Sequence, residues 1–199
     1  MSDSPPNDAV AVMAYNPAWP LLFEDERARL AAALGDGVVE IEHIGSTSVP
    51  GLSAKPVIDI LVAVERFDPI EACDRRLAPL GYWRPTPQDF DESEHRFYRR
   101  GSPRSHHLHI VEFGTWEHRR HLVFRDYLRG HPDIARLYAD VKRELALAFK
   151  HNRPAYTNGK TAFIKSIVAR ALTEIADPVL SALAEGAAHS EDTESHDTP

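Results

Sequence analysis

The sequence predicts an α/β chain of the α+β kind, with a mixed sheet flanked by helices and a helical C-terminal half. Three observations predict it. Residues 57–64 form an apolar run broken only by Asp59, the pattern of a strand covered on both faces. Residues 38–44 and 107–113 alternate at period two, as strands with two unlike faces do. From Thr115 onward the apolar spacing becomes helical, over 115–129, 132–150 and 158–176.

The remaining elements follow in order. A first helix starts near Pro17, with Asn16 as its cap and proline in the first turn. Leu22, Phe23, Leu30 and Leu34 mark its buried face, and Gly35 ends it. The next strand sets Val39, Ile41 and His43 on one face and Glu40, Glu42 and Ile44 on the other. Two prolines and two glycines make 45–56 a loop. A helix is expected over 69–79 and short strands over 82–84 and 95–100, separated by a polar loop at 85–94. The strand near 107 sets His107, His109 and Val111 opposite Leu108, Ile110 and Glu112. Trp19, Trp83 and Trp116 read as packing anchors, and Cys73 as a small packing residue in a helix.

A chain of 199 residues favours one domain, spanning 11–185, with a sheet-bearing part at 11–113 and a helical part at 114–185. Residues 1–10 and 186–199 are too polar to bury apolar surface and read as unstructured tails. No apolar run approaches the roughly 20 residues of a membrane-spanning helix, so no membrane partner is expected. One cysteine and a polar, acidic N-terminus fit a reducing cytoplasm rather than secretion. The net charge of −7 is concentrated in the tails, on Asp3, Asp8, Glu191, Asp192, Glu194 and Asp197. The rest of the chain is close to neutral, which argues against broad nucleic-acid binding.

The segment 41–62 carries the chemistry. A strand runs into Gly45-Ser46-Thr47-Ser48, and Asp59 lies on the next strand. Glycine admits a close phosphate. The hydroxyls and N–H groups of Ser46, Thr47 and Ser48 suit phosphate oxygens, and Lys55 adds a point charge. Asp59 suits Mg²⁺ carried against those phosphates. This is not a P-loop: five residues separate Gly45 from Gly51, and no Gly-Lys-Ser/Thr follows. His107 and His109 share a strand face. On spacing alone they fit either a solvated polar face or a pair converging on one metal or phosphate. His43 fits a core histidine as well as a site residue. Arg125, Arg129, Lys142, Tyr156 and Lys160 are candidates for an anionic substrate, with Lys160 near a helix start. Arg96, Arg99, Arg100 and Arg104 form a weaker group, equally readable as a solvated face.

The run His43-Ile-Gly-Ser-Thr-Ser-Val-Pro-Gly-Leu-Ser-Ala-Lys-Pro-Val-Ile-Asp-Ile60 resembles the signature of the GrpB family. So do His107-Leu-His109, Phe124-Arg-Asp-Tyr-Leu-Arg129, Tyr156 and Lys160. The family is placed with the nucleotidyltransferase superfamily, whose pattern is Gly-Ser on one strand and Asp-apolar-Asp/Glu on the next. The resemblance implies a nucleotidyltransferase-like fold and metal-dependent transfer from a nucleoside triphosphate, with Asp59, His107 and His109 as catalytic residues. It also implies a nucleotide or other phosphorylated small molecule as partner. Leu61 departs from the pattern at the second carboxylate. Replacement ligands beside Asp59 would be Glu42, His107, His109 and Glu112. A histidine-rich set would shift the metal from Mg²⁺ toward Mn²⁺ or Zn²⁺. Two alternatives stand beside transfer. One is a non-catalytic phosphate-binding module, linked to coenzyme A metabolism because some GrpB-like domains occur fused to dephospho-coenzyme A kinase. The other is a single-metal hydrolase.

Overall fold

The computed structural model describes residues 9–85 and 93–191, with side chains described as far as residue 176. The polar loop expected at 85–94 falls mostly outside them, as do most of both tails. A five-stranded sheet is built from β1 (Val38–Ile44), β2 (Ile58–Val64), β3 (Tyr82–Trp83), β4 (His95–Arg100) and β5 (His106–Glu112). Its order is β1-β2-β5-β4-β3. Only β2 and β5 run parallel; the other neighbours are antiparallel. The mixed sheet expected from the sequence is therefore present.

One face is covered by α1 (Trp19–Leu34) and α2 (Ile70–Leu77). Trp19, Phe23, Leu30, Leu34, Cys73 and Leu77 pack there against Ile41, Ile58, Ile60, Val62, Leu108 and Ile110. Helix α1 starts two residues later than expected. Asn16 accepts a hydrogen bond from the Ala18 N–H at 2.9 Å, outside the helix proper, and Pro20 sits in the first turn. Leu22, expected on the buried face, is 47% exposed, and Glu26 is buried in its place by Arg29 and Arg100. Of the three tryptophans only Trp19 is a packing anchor; Trp83 and Trp116 are 41% and 49% exposed.

The other face carries α3 (Trp116–Gly130), α4 (Pro132–Ala148), α5 (Arg153–Gly159) and α6 (Thr161–Glu191). Thr115 caps α3 by accepting from the His118 N–H. Helix α5 is absent from the sequence reading, although Asn152 followed by Pro154 is a start signal. The Asn152 side chain accepts from the Ala155 N–H at 3.0 Å. Leu122 of α3 packs on Ile44, Leu61, Ala63 and Val111 of the sheet. Thus β2 is buried on both faces, which explains its continuous apolar run. A second cluster joins Val49 and Leu52 of the loop after β1 to Leu128, Ala135, Tyr138 and Ala139.

The tails are shorter than composition suggests. Val10 is buried and donates to the Lys150 carbonyl at 2.8 Å, and Met13 pairs with Ala54. Helix α6 continues through residues 186–191. Among the described residues, no helix is long and apolar enough to cross a membrane.

Candidate functional site

The parallel register places Asp59 of β2 directly across from His107 of β5. The His107 Nδ1 and Asp59 Oδ1 atoms are 2.9 Å apart. The second carboxylate oxygen lies against Gly45. A Cβ built on Gly45 would stand 2.3 Å from Asp59 Oδ2, and the glycine holds φ 68°. Only glycine lets the turn close over the aspartate this way. The Asp59 side chain is 28% exposed, so solvent reaches it. Burial acts to raise its carboxyl. The His107 hydrogen bond, with the charges of His107, Lys55 and Lys160, outweighs burial and holds it below the usual range. Asp59 is therefore an ionised carboxylate near neutral pH. His107 is lowered by burial, against the pull of Asp59, and is a neutral imidazole. Its Nε2 is buried with no hydrogen-bond partner among the described residues.

Cations surround this carboxylate. The Nζ atoms of Lys55 and Lys160 lie 4.8 and 4.7 Å from the centre of one ring, that of Tyr156. Lys142 of α4 is buried, donates to the Ser53 carbonyl and lies 4.6 Å from the Tyr138 ring centre. Burial pushes the Tyr138 phenol up, with Tyr156 and Asp59 acting in the same sense and Ser46 against it. The C-terminal helices thus bring Tyr138, Lys142, Tyr156 and Lys160 to the turn that β1 and β2 present. Tyr138 escapes the sequence reading because an apolar-plus-hydroxyl residue on a buried helix face reads as core.

Several expected site residues are used otherwise. Thr47 is fully buried, bonded to His43 Nε2 at 2.9 Å and facing the Val57 carbonyl. Ser48 donates to the Gly45 carbonyl at 2.6 Å. Both hydroxyls fold the turn, and among the described residues the Ser46 hydroxyl is not used in this way. His43 is a core histidine, stacked 4.8 Å from Phe23 and lowered by burial to about 4. Arg125 binds Glu42, Asp126 and the His43 carbonyl. Arg129 donates twice to the Ser48 carbonyl, at 3.1 and 2.9 Å. These arginines hold the turn in place from behind. Arg96 and Arg100 serve the opposite face, on Cys73 and Glu26.

The metal ligand set does not assemble. Glu42 is taken by Arg125. Glu112 points to the other face and accepts from the Phe67 N–H. The His109 Nδ1 meets His95 Nε2 at 2.8 Å, and burial holds this imidazole well below its ordinary value. His95 and His121, neither singled out in the sequence, complete a neutral imidazole cluster around Phe97. Among the described residues, no group of three His, Cys, Asp or Glu side chains is arranged to hold an ion. The residues present do not fit a protein-held metal centre. Leu61 shows why a second carboxylate is missing: it faces the Asp59 side but is fully buried under α3.

The chain is 39% identical over 181 residues to a UPF0157 protein of Pseudomonas aeruginosa, covering 87% of this chain and 72% of that one. It is 37% identical over 161 residues to the UPF0157 protein YqkA of Bacillus subtilis, covering 81% of this chain but only 47% of YqkA. The chain thus spans about half the length of that relative. A more distant similarity, 27% over 189 residues, covers 81% of this chain and 46% of a dephospho-CoA kinase of Mycolicibacterium paratuberculosis. The crystal structure of the conserved protein GrpB from Enterococcus faecalis superposes with a TM-score of 0.75 at 40% identity, covering 83% of this chain and 99% of that one. The sequence profile described as GrpB protein matches residues 9–170, and the chain belongs to the GrpB family.

Proposed function

We propose that the chain binds a phosphorylated small molecule, a nucleotide by preference, with its phosphates on Ser46, Lys55 and Lys160 beside Asp59. The observation that carries this reading is the charge imbalance at the site. Lys55, Lys142 and Lys160 surround one carboxylate, and neither Lys142 nor Lys160 has an ion pair with a carboxylate among the described residues. Gly45 allows close backbone approach, which a phosphate needs. The similarity to part of a dephospho-CoA kinase keeps dephospho-coenzyme A among the nucleotides to test.

A second reading, phosphoryl or nucleotidyl transfer, is favoured by the Asp59–His107 pair. A neutral imidazole held by a carboxylate through Nδ1 keeps Nε2 as its basic nitrogen, here buried and without a hydrogen-bond partner among the described residues. No transfer step is routed through a protein-bound metal, because the donor set does not fit one.

Thermal unfolding with ATP, dephospho-coenzyme A or pyrophosphate, each with and without Mg²⁺, tests the binding reading. A ligand of the native state at 100 times its Kd stabilises by about 2.7 kcal/mol, and a rise in Tm with at least one of them is expected. No rise with any of them refutes it. Asp59→Asn and His107→Gln then separate the two readings. Loss of turnover with retained binding supports transfer, whereas no consumption by the unsubstituted protein leaves a binding module.

A further inference from the structure

Lys142 is the most deeply buried cation of the site. It is 2% exposed on α4, whereas Lys55 and Lys160 are half-buried. Its ammonium would have three donors to satisfy. The contacts around it are the Ser53 carbonyl and the face of Tyr138. The charged groups acting on it come from three other elements: Lys160 following α5, Asp59 on β2 and Lys55 in the loop before β2. Asp59 is the one carboxylate among them, and it is shared with Lys55, Lys160 and His107.

Lys142 and Lys160 are a buried and a half-buried cation that both draw on Asp59, at a desolvation cost the free protein can relieve. The cheapest relief in the free protein is for the most buried ammonium to release its proton. Burial first, then the charge of Lys160 and that of Lys55 against Asp59, bring Lys142 down to about 7. An arriving anion reverses this balance without touching Lys142, because its charge adds to that of Asp59.

We propose that filling the Asp59 site with a phosphate group of two or more negative charges draws a proton from solvent onto Lys142, so that this buried lysine favours a dianionic phosphate over a singly charged ester. The inference rests on the binding reading above. The proton adds to the amine lone pair, and no bond in the ligand breaks. Lys142 is a positioning residue here, since it acts through the field it shares with Lys55, Lys160 and Asp59.

The test is calorimetric titration of the full chain with inorganic pyrophosphate at pH 7, in buffers of low and high ionisation enthalpy. Lys142→Arg and Lys142→Met are measured beside the unsubstituted protein, with dimethyl phosphate as the singly charged control. A group half-protonated when free and fully protonated when bound takes up about 0.5 proton at pH 7. The unsubstituted protein is therefore expected to take up about 0.5 proton more than Lys142→Arg, whose charge is permanent. Above pH 8 its pyrophosphate affinity is expected to fall relative to Lys142→Arg by up to about tenfold per pH unit. Dimethyl phosphate is expected to bind at least about tenfold more weakly and to shift fewer protons. Equal proton uptake by the unsubstituted protein and Lys142→Arg, with pyrophosphate bound by both, overturns the coupling and leaves the binding reading standing. Absence of any binding heat with the unsubstituted protein, in every buffer, overturns both. If Lys142→Met does not fold, the Lys142→Arg comparison and the pH dependence of the unsubstituted protein still decide.

Discussion

Replacing Gly45 with alanine perturbs the site at its tightest point. Two costs follow from the geometry. The backbone at φ 68° and ψ −170° is a conformation that residues with a side chain rarely adopt, at a cost of about 1–3 kcal/mol. The new Cβ would also stand 2.3 Å from Asp59 Oδ2 and 2.9 Å from its Cβ and Cγ. The carboxylate must move, and the 2.9 Å hydrogen bond to His107 goes with it. A hydrogen bond to a charged group contributes about 1.5–3 kcal/mol. Together these give a loss of about 3–5 kcal/mol for Gly45→Ala, which is a Tm drop on the order of 10 °C for a chain of this size. Urea denaturation of a double-mutant cycle separates the two parts. Asp59→Gly removes all three clashing atoms, so in that background Gly45→Ala should cost only the backbone share. A coupling of about 1.5 kcal/mol or more is expected between the sites. Equal cost of Gly45→Ala in both backgrounds would refute the close approach of turn and carboxylate.

Three further outcomes are expected. His43 and His95, held by burial at about 4, and His121, held at about 3, are neutral in the native protein but titrate at 6.5 when unfolded. The unfolded chain then binds more protons between these values, so stability falls as pH drops below 6.5. The slope should approach about 4 kcal/mol per pH unit near pH 5; an unchanged urea midpoint between pH 7 and pH 5 would contradict it. Leu61→Asp, which places a second carboxylate two residues after Asp59, is expected to cost about 3 kcal/mol or more, because the position is dry beneath α3. A Leu61→Asp protein with unaltered Tm would show that this part of the sheet is open. Arg129→Ala releases the Ser48 carbonyl, and should cost about 1–2 kcal/mol and weaken nucleotide binding at the loosened turn. Isothermal titration showing undiminished affinity would argue against the arginine as a support for the turn.

Much of the architecture was legible from period and composition. The apolar run of β2, the alternation of β1 and β5, and the helical spacing after Thr115 report burial directly, and burial is what the fold satisfies. The pairing of Asp59 with His107 was legible only as two separate suggestions, because strand register is set by tertiary contacts between residues 48 positions apart. The use of Thr47, Ser48, Arg125 and Arg129 as internal supports was not legible. A hydroxyl or guanidinium suits a backbone carbonyl as well as a phosphate, and only three-dimensional position decides between them. Glu42 shows the same ambiguity: as a bare carboxylate it suits a metal, yet Arg125 neutralises it. The imidazoles of His95 and His121 lie on the elements just before and just after β5, so no strand or helix period signals their meeting with His109.

The Val10 bond to the Lys150 carbonyl and the Met13–Ala54 pairing stitch the start of the chain to two places that flank the lysine cluster: the far end of α4 and the loop bearing Lys55. The segment after α4 and the loop bearing Lys55 therefore cannot part without breaking these backbone bonds, so the chain's first described residues act as a clasp between them.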